Sequence, residues 1–518
     1  MNKKITALPV FSFLLGFFPL IYLWNSNKNQ IYPRDTGLAF LLTAAFIIIV
    51  WLIFLLIYRQ PVRASLGSSI VYILFFSFGH VFNLIAQSPQ LLAAFGFMKL
   101  LALYILLGVA AFYALHRVKM VPAATVQALN LIIVILMAFN LFQISQSEAA
   151  KNQKSAPMNA AQSSASEGSV TKGQSTRPDI YYIILDAYSR QDVLKKITGF
   201  DNSEFINALR DRGFYVADCA NSNYNGTLIS MSSSLNYAYH DKNADLENEP
   251  ELFNELKNNR IRYDLQKFGY KFVTTKGYSS FNDIQQSDIY LNYLEDAGMQ
   301  DTLAQSRFTQ MYLETTLLRP AYELYKLDPA KYGRLAGWLM LSDNENDQNW
   351  EARFWYNQTK YVFSSLEKFP EKDGPFFVYA HINAPHGPIV FDRNGNFRFT
   401  PNADDKASLY VDTVIYLNSR VLELVDTLIK KSEVPPIIII QGDHGAHKLS
   451  SGVDRNKILN AYYFPQEMKD KLYSTITPVN TFRLILRDLF HQNIDLLPDT
   501  VYAQVTNEIE PIPSTCDQ

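Results

Sequence analysis

The sequence predicts an α-helical transmembrane bundle of five helices followed by one α/β domain, whose mostly parallel sheet lies between helices. Charge is unevenly spread over the 518 residues: Ile5–Trp24, Gly37–Tyr58 and Val121–Ser147 contain no Asp, Glu, Lys or Arg. Beyond Arg177 charged residues are frequent, and short apolar runs alternate with helical patterns. We therefore expect a membrane domain at 1–144, a linker at 145–177 and a soluble domain at 178–518.

Five apolar segments are long enough to cross the hydrocarbon core, which takes about 20 residues. Lys99 in the fourth is costly in lipid, so we expect it to face protein, water or a headgroup, or to snorkel. The first segment could instead be a cleavable signal peptide, but Pro9, Pro19 and bulky aromatics replace a small-residue cleavage site, which favours an uncleaved helix. The segments are Ile5–Trp24, Gly37–Tyr58, Leu66–Ala86, Leu91–Leu115 and Val121–Ile144.

The cations of the short loops predict the orientation of these helices. Since positive loops stay in the cytoplasm, the N-terminus is expected there. Five crossings then place the soluble domain in the periplasm or outside the cell, with the chain integral to a bacterial inner (cytoplasmic) membrane. The cations on the cytoplasmic side are Lys3, Lys4, Arg59, Arg63, Arg117 and Lys119, against Lys28 and Arg34 on the other side.

The linker and the soluble domain differ in composition. Residues 145–177 are rich in Ser, Ala, Gln and Asn and contain no aromatic residue, which predicts a flexible tether. The remaining chain, from Pro178 onward, suffices for one large domain. Phe281–Trp350 is polar, aromatic and mixed, and we interpret it as a partly helical insertion.

The soluble domain shows the alternation of an open α/β sheet. Apolar runs at PDIYYIILD, Tyr270–Thr274 and IIIIQ predict strands, and Ser203–Arg212 and Ser408–Lys431 predict helices. Pro435 and Pro436 end the last helix, directly before the strand that leads into GDHG. In such folds ligands collect beyond the carboxyl ends of the strands.

Composition excludes several classes of function. The net charge is −2 and no long basic run occurs, which argues against a general nucleic-acid binder. Two cysteines, Cys219 and Cys516, are too few for a disulfide scaffold or a four-cysteine zinc module.

Two predicted strands end in polar residues that could bind a metal ion. Asp186 follows YYIIL, and taken alone is more often a helix cap than a ligand. Asp443 and His444 follow IIIIQ between Gly442 and Gly445, and in such a loop both side chains can converge on one ion. The alternative interpretation of this pair is a polar turn. The second carboxylate at a strand end, Asp186, favours the metal site over that alternative.

Thr227 is the candidate nucleophile. It follows Gly226 in SNYNGTLISMSSSLNY and begins a predicted Ser-rich helix. Its hydroxyl could be an ordinary helix cap, or a nucleophile activated by a divalent ion at a helix N-terminus. Asn225, two residues earlier, is a candidate substrate contact.

Histidines form a second set of candidates. His381 and His386 in HINAPHGPIVF follow the apolar run PFFVYA and lack the helical spacing of a zinc protease. They suit substrate binding, proton transfer or a second ion, or else structural hydrogen bonding. His447 is a further candidate of this kind.

Asp186, Thr227, the His381–His386 loop and the GDHG turn resemble, in order and separation, the alkaline phosphatase and sulfatase superfamily over most of Arg177–Arg487. With the helices and tether, the chain looks closest to membrane-anchored phosphoethanolamine transferases and lipoteichoic acid synthases. The resemblance implies a zinc or manganese ion bound by Asp186, Thr227, Asp443 and His444, with Thr227 as the covalent nucleophile. His381, His386 and His447 would contact substrate or leaving group.

The chain departs from these relatives at two points. The transferases usually carry Glu at the first ligand position, where this chain has Asp186. Sulfatases need a C/S-x-P-x-R motif that is converted to formylglycine, and none occurs here. Cys219 is followed by Ala-Asn-Ser-Asn, so we interpret it as a buried thiol.

Three functions remain open from the sequence. The first is transfer of a phospho-linked group from a membrane phospholipid headgroup through Thr227 to an extracytoplasmic glycan or lipid acceptor. The second is sulfatase-like or phosphodiesterase hydrolysis, in which water is the acceptor. The third is an inactive membrane scaffold, against which the complete set of candidate ligands argues.

Overall fold

The computed structural model describes the chain as two compact units. One comprises Met1–Pro157 and Gln300–Gln348, and the other Met158–Met299 and Asn349–Gln518. The residues described are 8–27, 36–86, 88, 90–91, 95–118, 120–155, 177–240, 249–277, 283–296, 307–319, 350–400, 406–446, 449–504 and 509–516.

Among its described residues, the first unit contains five apolar helices and one short helix from the later insertion. Four helices are long and apolar enough to span a membrane, and the first is a shorter apolar helix of 16 residues. The chain is therefore a membrane-anchored protein. The helices are α1 (Phe11–Ser26), α2 (Gly37–Tyr58), α3 (Pro61–Ala86), α4 (Phe97–Arg117), α5 (Ala123–Ser155) and, later in the chain, α12 (Arg307–Glu314).

Polar side chains inside this unit bond to one another between helices. Ser12 Oγ lies 2.9 Å from Ser68 Oγ, and Asn25 donates to Asn140 at 2.9 Å. Such bonds hold transmembrane helices together because lipid offers polar groups no partner. Lys99 lies exposed in the first turn of α4, where its ammonium can reach the headgroup region.

The fifth helix extends past its predicted end at Ile144. Helix α5 continues to Ser155, so the first part of the predicted tether is helical. Ala149, Ala150 and the nearby Glu, Gln and Lys residues are good helix formers, and extending an existing helix needs no new nucleus. Residues 156–176 of the predicted tether lie outside the described residues.

The second unit is the predicted α/β domain. Its described strands are β1 (Ile180–Leu185), β2 (Tyr215–Val216), β3 (Lys271–Thr275), β4 (Ile289–Leu291), β5 (Phe376–Ile382), β6 (Ile437–Gln441), β7 (Asn460–Tyr463), β8 (Thr500–Gln504) and β9 (Ile509–Pro513). Its helices are α6 (Gln191–Thr198), α7 (Ser203–Asp211), α8 (Thr227–Asn236), α9 (Glu249–Lys257), α10 (Arg260–Lys267), α11 (Tyr293–Asp296), α13 (Trp350–Leu366), α14 (Lys406–Lys431), α15 (Gln466–Lys469) and α16 (Pro478–Asp488).

Seven strands form one sheet in the order β2-β7-β6-β1-β5-β3-β4. Strand β1 lies at its centre and pairs in parallel with both β5 and β6. Strands β3 and β4 continue the parallel part, whereas β7 and β2 form an antiparallel edge. The predicted fold class is confirmed.

The sheet is buried on both faces. Successive residues of β1 enter different cores: Tyr181 and Ile183 pack on one side, and Tyr182 and Ile184 on the other. Apolar side chains of α14 cover the first face, and those of α8, α10 and α16 cover the second. Because both faces are covered, the strands read as continuous apolar runs.

Cys219 is not the thiol that its sequence context predicts. It forms a disulfide with Cys516, 297 residues away. The C-terminal tail returns to this place, where Asn221 donates to Ser514 Oγ at 3.0 Å. No local sequence motif marks the pair, because the two residues are far apart along the chain. Disulfides persist mainly in oxidising compartments.

The insertion predicted at Phe281–Trp350 contains β4, α11 and α12 among its described residues. Helix α12 belongs to the first compact unit, although the chain on either side of the insertion belongs to the second. The sequence did not predict that part of the insertion belongs to the first unit.

Candidate active site

Neighbouring strands bring three predicted ligands together. Asp186 follows β1, and Asp443 and His444 follow β6, which pairs with β1 in parallel. Their carboxyl ends therefore meet at one edge of the sheet. One ligand atom from each of the three buried residues lies within 4.8 Å of the others, so the group could hold a metal ion.

Each carboxylate keeps one oxygen unpaired. Asp443 Oδ1 accepts from the N–H groups of Ala187 at 3.0 Å and His444 at 2.9 Å, and Asp186 Oδ2 lies 3.2 Å from His381 Nε2. Asp443 Oδ2 and Asp186 Oδ1 are buried and have no hydrogen-bond partner within the described chain. Buried unpaired carboxylate oxygens are costly, and a cation between them would satisfy both.

The imidazole of His444 completes the group. Its Nδ1 lies 2.8 Å from Gly445 O, an acceptor that fixes the proton on Nδ1 and leaves a lone pair on Nε2. That Nε2 lies 3.7 Å from Asp186 Oδ1 and 3.6 Å from Asp443 Oδ2. Two carboxylates and one imidazole fit zinc or manganese.

Thr227 faces these groups from the start of α8. Gly226 occupies the cap position and the cap has no side-chain hydrogen bond, so the Thr227 hydroxyl does not cap the helix. Its Oγ1 lies 3.2 Å from His444 Nε2. One turn later, Ser230 Oγ donates to Asp443 O at 2.8 Å, which holds α8 against the loop after β6.

His381 lies behind Asp186 and is 3% exposed. Its Nε2 bonds to Asp186, and its Nδ1 lies 3.0 Å from Tyr379 Oη. Burial lowers the pKa of His381, but the hydrogen bond and charge of Asp186 outweigh burial and raise that pKa. Burial likewise raises the pKa of Asp186, but His381 and the other nearby histidines outweigh this effect and lower it.

His386 is more open than His381. Its backbone N–H donates to Asp186 O at 3.0 Å, and its Nδ1 lies 2.7 Å from Gly387 O. The His386 ring centre is 6.3 Å from that of His444, and the side chain is partly exposed. His386 therefore borders the candidate metal group without being enclosed by it.

The remaining predicted residues are less well defined. Asn225 is partly exposed and lies two residues before Thr227 in the same loop. His447 lies outside the described residues. Asp186 does not cap a helix, since Arg190 is the residue before α6.

Close backbone packing joins the two ligand-bearing loops. Ala187 has φ 64°, a left-handed conformation that a non-glycine residue adopts rarely and often at functional sites. Gly442 is needed for close approach, because an added Cβ would collide with the backbone carbonyl of Tyr188. At Gly445 an added Cβ would lie 3.1 Å from Ser189 Oγ.

Sequence reasoning missed two residues of this region. Tyr379 precedes His381 by two positions on β5, so both side chains lie on one face of the strand. This spacing in the sequence could have indicated that Tyr379 contacts His381. Arg455 interacts electrostatically with Asp443, and its buried Nε has no hydrogen-bond partner within the described chain. Burial lowers the pKa of Arg455, and no motif marks the residue.

Comparison with known proteins gives a family. The sulfatase family model matches residues 178–482. No curated protein sequence matches the chain.

Several solved structures are similar to the chain. The lipooligosaccharide phosphoethanolamine transferase A of Neisseria meningitidis is 12% identical, with TM-score 0.38, over 92% of this chain and 94% of that one. The periplasmic domain of phosphoethanolamine transferase EptC of Campylobacter jejuni is 11% identical, with TM-score 0.37, over 63% and 93%. Lipoteichoic acid synthase LtaP of Listeria monocytogenes is 12% identical, with TM-score 0.39, over 62% and 74%.

Proposed function

Because the chain belongs to the sulfatase family, within the alkaline phosphatase superfamily, we propose that it is a metal-dependent phosphotransferase with Thr227 as nucleophile. The observation that carries this proposal is the position of the Thr227 hydroxyl. Its Oγ1 lies 3.2 Å from His444 Nε2, beside two buried carboxylate oxygens without hydrogen-bond partners. A hydroxyl in such surroundings is placed for activation by a cation.

Asp186, Asp443, His444 and Thr227 would hold the ion, zinc or manganese. When bound, a divalent ion supplies charge that lowers the pKa of the Thr227 hydroxyl and stabilises negative charge on the transferred group. The N-terminus of α8 adds N–H groups and a favourable dipole at the same place. Tyr379 and His381 orient Asp186, so the ligand geometry is fixed before substrate arrives.

In the first step Thr227, whose hydroxyl has lost its proton to solvent, attacks the phosphorus of a phosphodiester through Oγ. The bond from phosphorus to Thr227 Oγ forms, and the bond from phosphorus to the leaving oxygen breaks. His386 protonates the leaving oxygen, because its ring borders the site and is partly exposed. His381 is too enclosed for that role, and both of its nitrogens have partners.

In the second step an acceptor hydroxyl attacks the phosphothreonine. His386 accepts the proton of this hydroxyl, and the bond from phosphorus to Thr227 Oγ breaks. Thr227 leaves as the alkoxide and His386 is again protonated, so the enzyme is regenerated. Arg455, whose charge acts on Asp443, is our candidate for stabilising a phosphoryl oxygen. Asn225 is a candidate contact to the substrate.

A membrane phospholipid is the donor that we propose. The α/β unit is covalently joined to apolar helices, which raises the effective concentration of a bilayer substrate. The distribution of cations in the short loops supports an N-terminus in the cytoplasm and an α/β unit outside it. The Cys219–Cys516 disulfide agrees with an oxidising, extracytoplasmic location. The acceptor would be a glycan or a second lipid.

Phosphoryl rather than sulfuryl transfer follows from the nucleophile. A formylglycine nucleophile is made from Cys or Ser, and the chain has Thr at 227 followed by Leu-Ile-Ser. The scaffold alternative leaves the cost of two unpaired buried carboxylate oxygens unexplained.

Vesicles containing phospholipid with a radiolabelled headgroup phosphate test the proposed reaction. Incubated with the full-length protein, manganese or zinc and isolated cell-envelope material, they should yield label on a second lipid or glycan. The Thr227→Ala variant, as control, should yield none. Release of the label as free or water-soluble phosphate alone would show hydrolysis and contradict transfer.

The two histidines should respond differently to substitution. His381→Gln should weaken metal affinity about 10- to 100-fold, since it removes the support of a ligand, and excess metal should restore most of its turnover. His386→Gln should keep metal affinity but lower turnover about 10²- to 10⁴-fold at saturating metal. Metal titration measures the affinity of both variants, and turnover assays at saturating metal measure their activity.

Tyr379→Phe serves as the milder companion variant, because it removes only the hydroxyl that bonds to His381. It should shift metal affinity in the same direction as His381→Gln. Unchanged metal affinity in His381→Gln would overturn the positioning role.

A further inference from the structure

We propose that residues 307–319 form a second attachment of the α/β unit to the membrane, seated among the transmembrane helices. This segment is inserted between parts of the chain that belong to the α/β unit, yet it belongs to the helical unit. The chain therefore joins the two units at both ends of the insertion as well as after α5. The proposal is independent of the chemistry at Thr227.

Helix α12 packs its apolar side against the helix bundle. Phe308 is 2% exposed and Tyr312 8% exposed, and both share a core with Ala39 and Ile47 of α2 and with Phe76 of α3. The hydroxyls of Tyr312 and Thr43 lie 2.6 Å apart, and the Tyr312 ring lies 5.8 Å from that of Phe76. The contact is thus both apolar and hydrogen-bonded.

The turn after α12 bonds to the backbone of α3. Leu317 N donates to Phe75 O at 2.8 Å, and Gly79 N donates to Thr315 O at 3.1 Å. Phe75 O and Gly79 N are partners in a regular helix, so the turn engages the hydrogen-bond ladder of α3. Irregular backbone at membrane depth is tolerated only where such partners satisfy it.

Gly79 makes this approach possible. An added Cβ there would lie 2.6 Å from Thr315 Cα, a distance that backbone atoms cannot relieve by rotating a side chain. Small residues at contacts between membrane helices serve this purpose. Arg319 follows the turn, bonds to Asn83 and lies over the Phe82 ring at 4.8 Å.

The contacts lie well inside the ends of the helices. Thr43 is six residues beyond the start of α2, and Gly79 is seven before the end of α3, about 9–10 Å along each helix. In the orientation that the loop cations predict, those ends lie on the extracytoplasmic side. The attachment is thus expected to reach hydrocarbon depth and to resist salt.

Cleavage of the first connection tests the second. A protease site is inserted between residues 160 and 165 of the full-length protein, with a C-terminal tag, and membranes are cleaved and washed in high salt. The C-terminal fragment should stay with the membranes. Its complete release into the supernatant, with cleavage verified, would overturn the proposal.

A matched pair of glycine substitutions tests which contact retains the cleaved fragment on the membrane. Gly79→Ala should release at least about fivefold more cleaved fragment than Gly108→Ala, because Gly108 meets only a Leu74 methyl at 3.3 Å from an added Cβ. Tyr312→Phe, an almost isosteric change, should also increase release by removing the bond to Thr43. Equal retention in all three variants would contradict the assigned contact.

The readout is separate from catalysis. Thr227→Ala should partition like the unmodified sequence, whether or not Thr227 is the nucleophile. Failure of the attachment would therefore leave the proposed reaction standing, and the reverse also holds.

Discussion

Replacing Thr227 by Ala should lower turnover at least about 10³-fold, which corresponds to about 4 kcal/mol of transition-state stabilisation. The loss follows from removing the atom that bonds to phosphorus. Thr227→Ser, which keeps the hydroxyl, should retain turnover within about tenfold. Turnover per chain on a radiolabelled phospholipid at saturating metal measures both variants.

The folded structure should survive this substitution. Thr227 is the first residue of α8 and does not cap it, and Ala has high helix propensity. The bond to His444 is lost, but the carboxylates remain, so metal content should fall little. Circular dichroism and metal analysis provide the control. Full turnover in Thr227→Ala would remove Thr227 as the nucleophile.

Replacing Asp443 by Asn should abolish metal binding while preserving the local fold. The amide oxygen can still accept from the N–H groups of Ala187 and His444, as Oδ1 does now. The amide nitrogen then replaces the unpaired Oδ2 and presents hydrogens in place of a negative charge. Metal content should drop from about one ion per chain to below about a tenth of an ion per chain. Turnover should fall at least about 10³-fold.

In the absence of metal, Asp443→Asn should not lower the stability of the protein and can raise it. In the chelated protein Asp443 is a fully buried carboxylate close to Asp186, which opposes folding. Asp443→Asn should therefore unfold at the same or a higher temperature than the chelated unmodified chain. With metal present the order should reverse, because only the unmodified chain gains stability from binding.

Asp412→Asn is the matched control. Asp412 is also buried, at 6% exposure, but it pairs with Arg393 and Arg398. Its substitution should lower stability modestly, because it removes the negative charge that pairs with two partly exposed cations, and should not change metal content. Stoichiometric metal in Asp443→Asn would contradict the assignment of the ligands.

Short-range patterns predicted the parts of the site that lie at strand ends. The apolar runs before Asp186 and Asp443 are buried strands, and parallel pairing brings their carboxyl ends together. The Gly-flanked Asp443–His444 turn likewise predicted convergence, although Gly442 is needed for close packing against Tyr188 rather than for an unusual φ.

Features that depend on distant contacts could not be predicted. The enclosure of His381 by Asp186 and Tyr379 depends on which strand neighbours β5. The Cys219–Cys516 disulfide joins residues 297 positions apart. The return of residues 307–319 to the helices has no signal in composition, since α12 is only moderately apolar. Each of these contacts is set by the tertiary arrangement, whereas periodicity reports local structure alone.

The most direct test of the central claim is the identity of the covalent intermediate. Full-length protein is mixed with phospholipid vesicles and metal in the absence of acceptor, quenched in acid, and its peptides are analysed by mass spectrometry. The proposed mechanism predicts a phospho-linked adduct on the peptide that contains Thr227, absent from Thr227→Ala. An adduct at any other residue, or one that persists in Thr227→Ala, would contradict it.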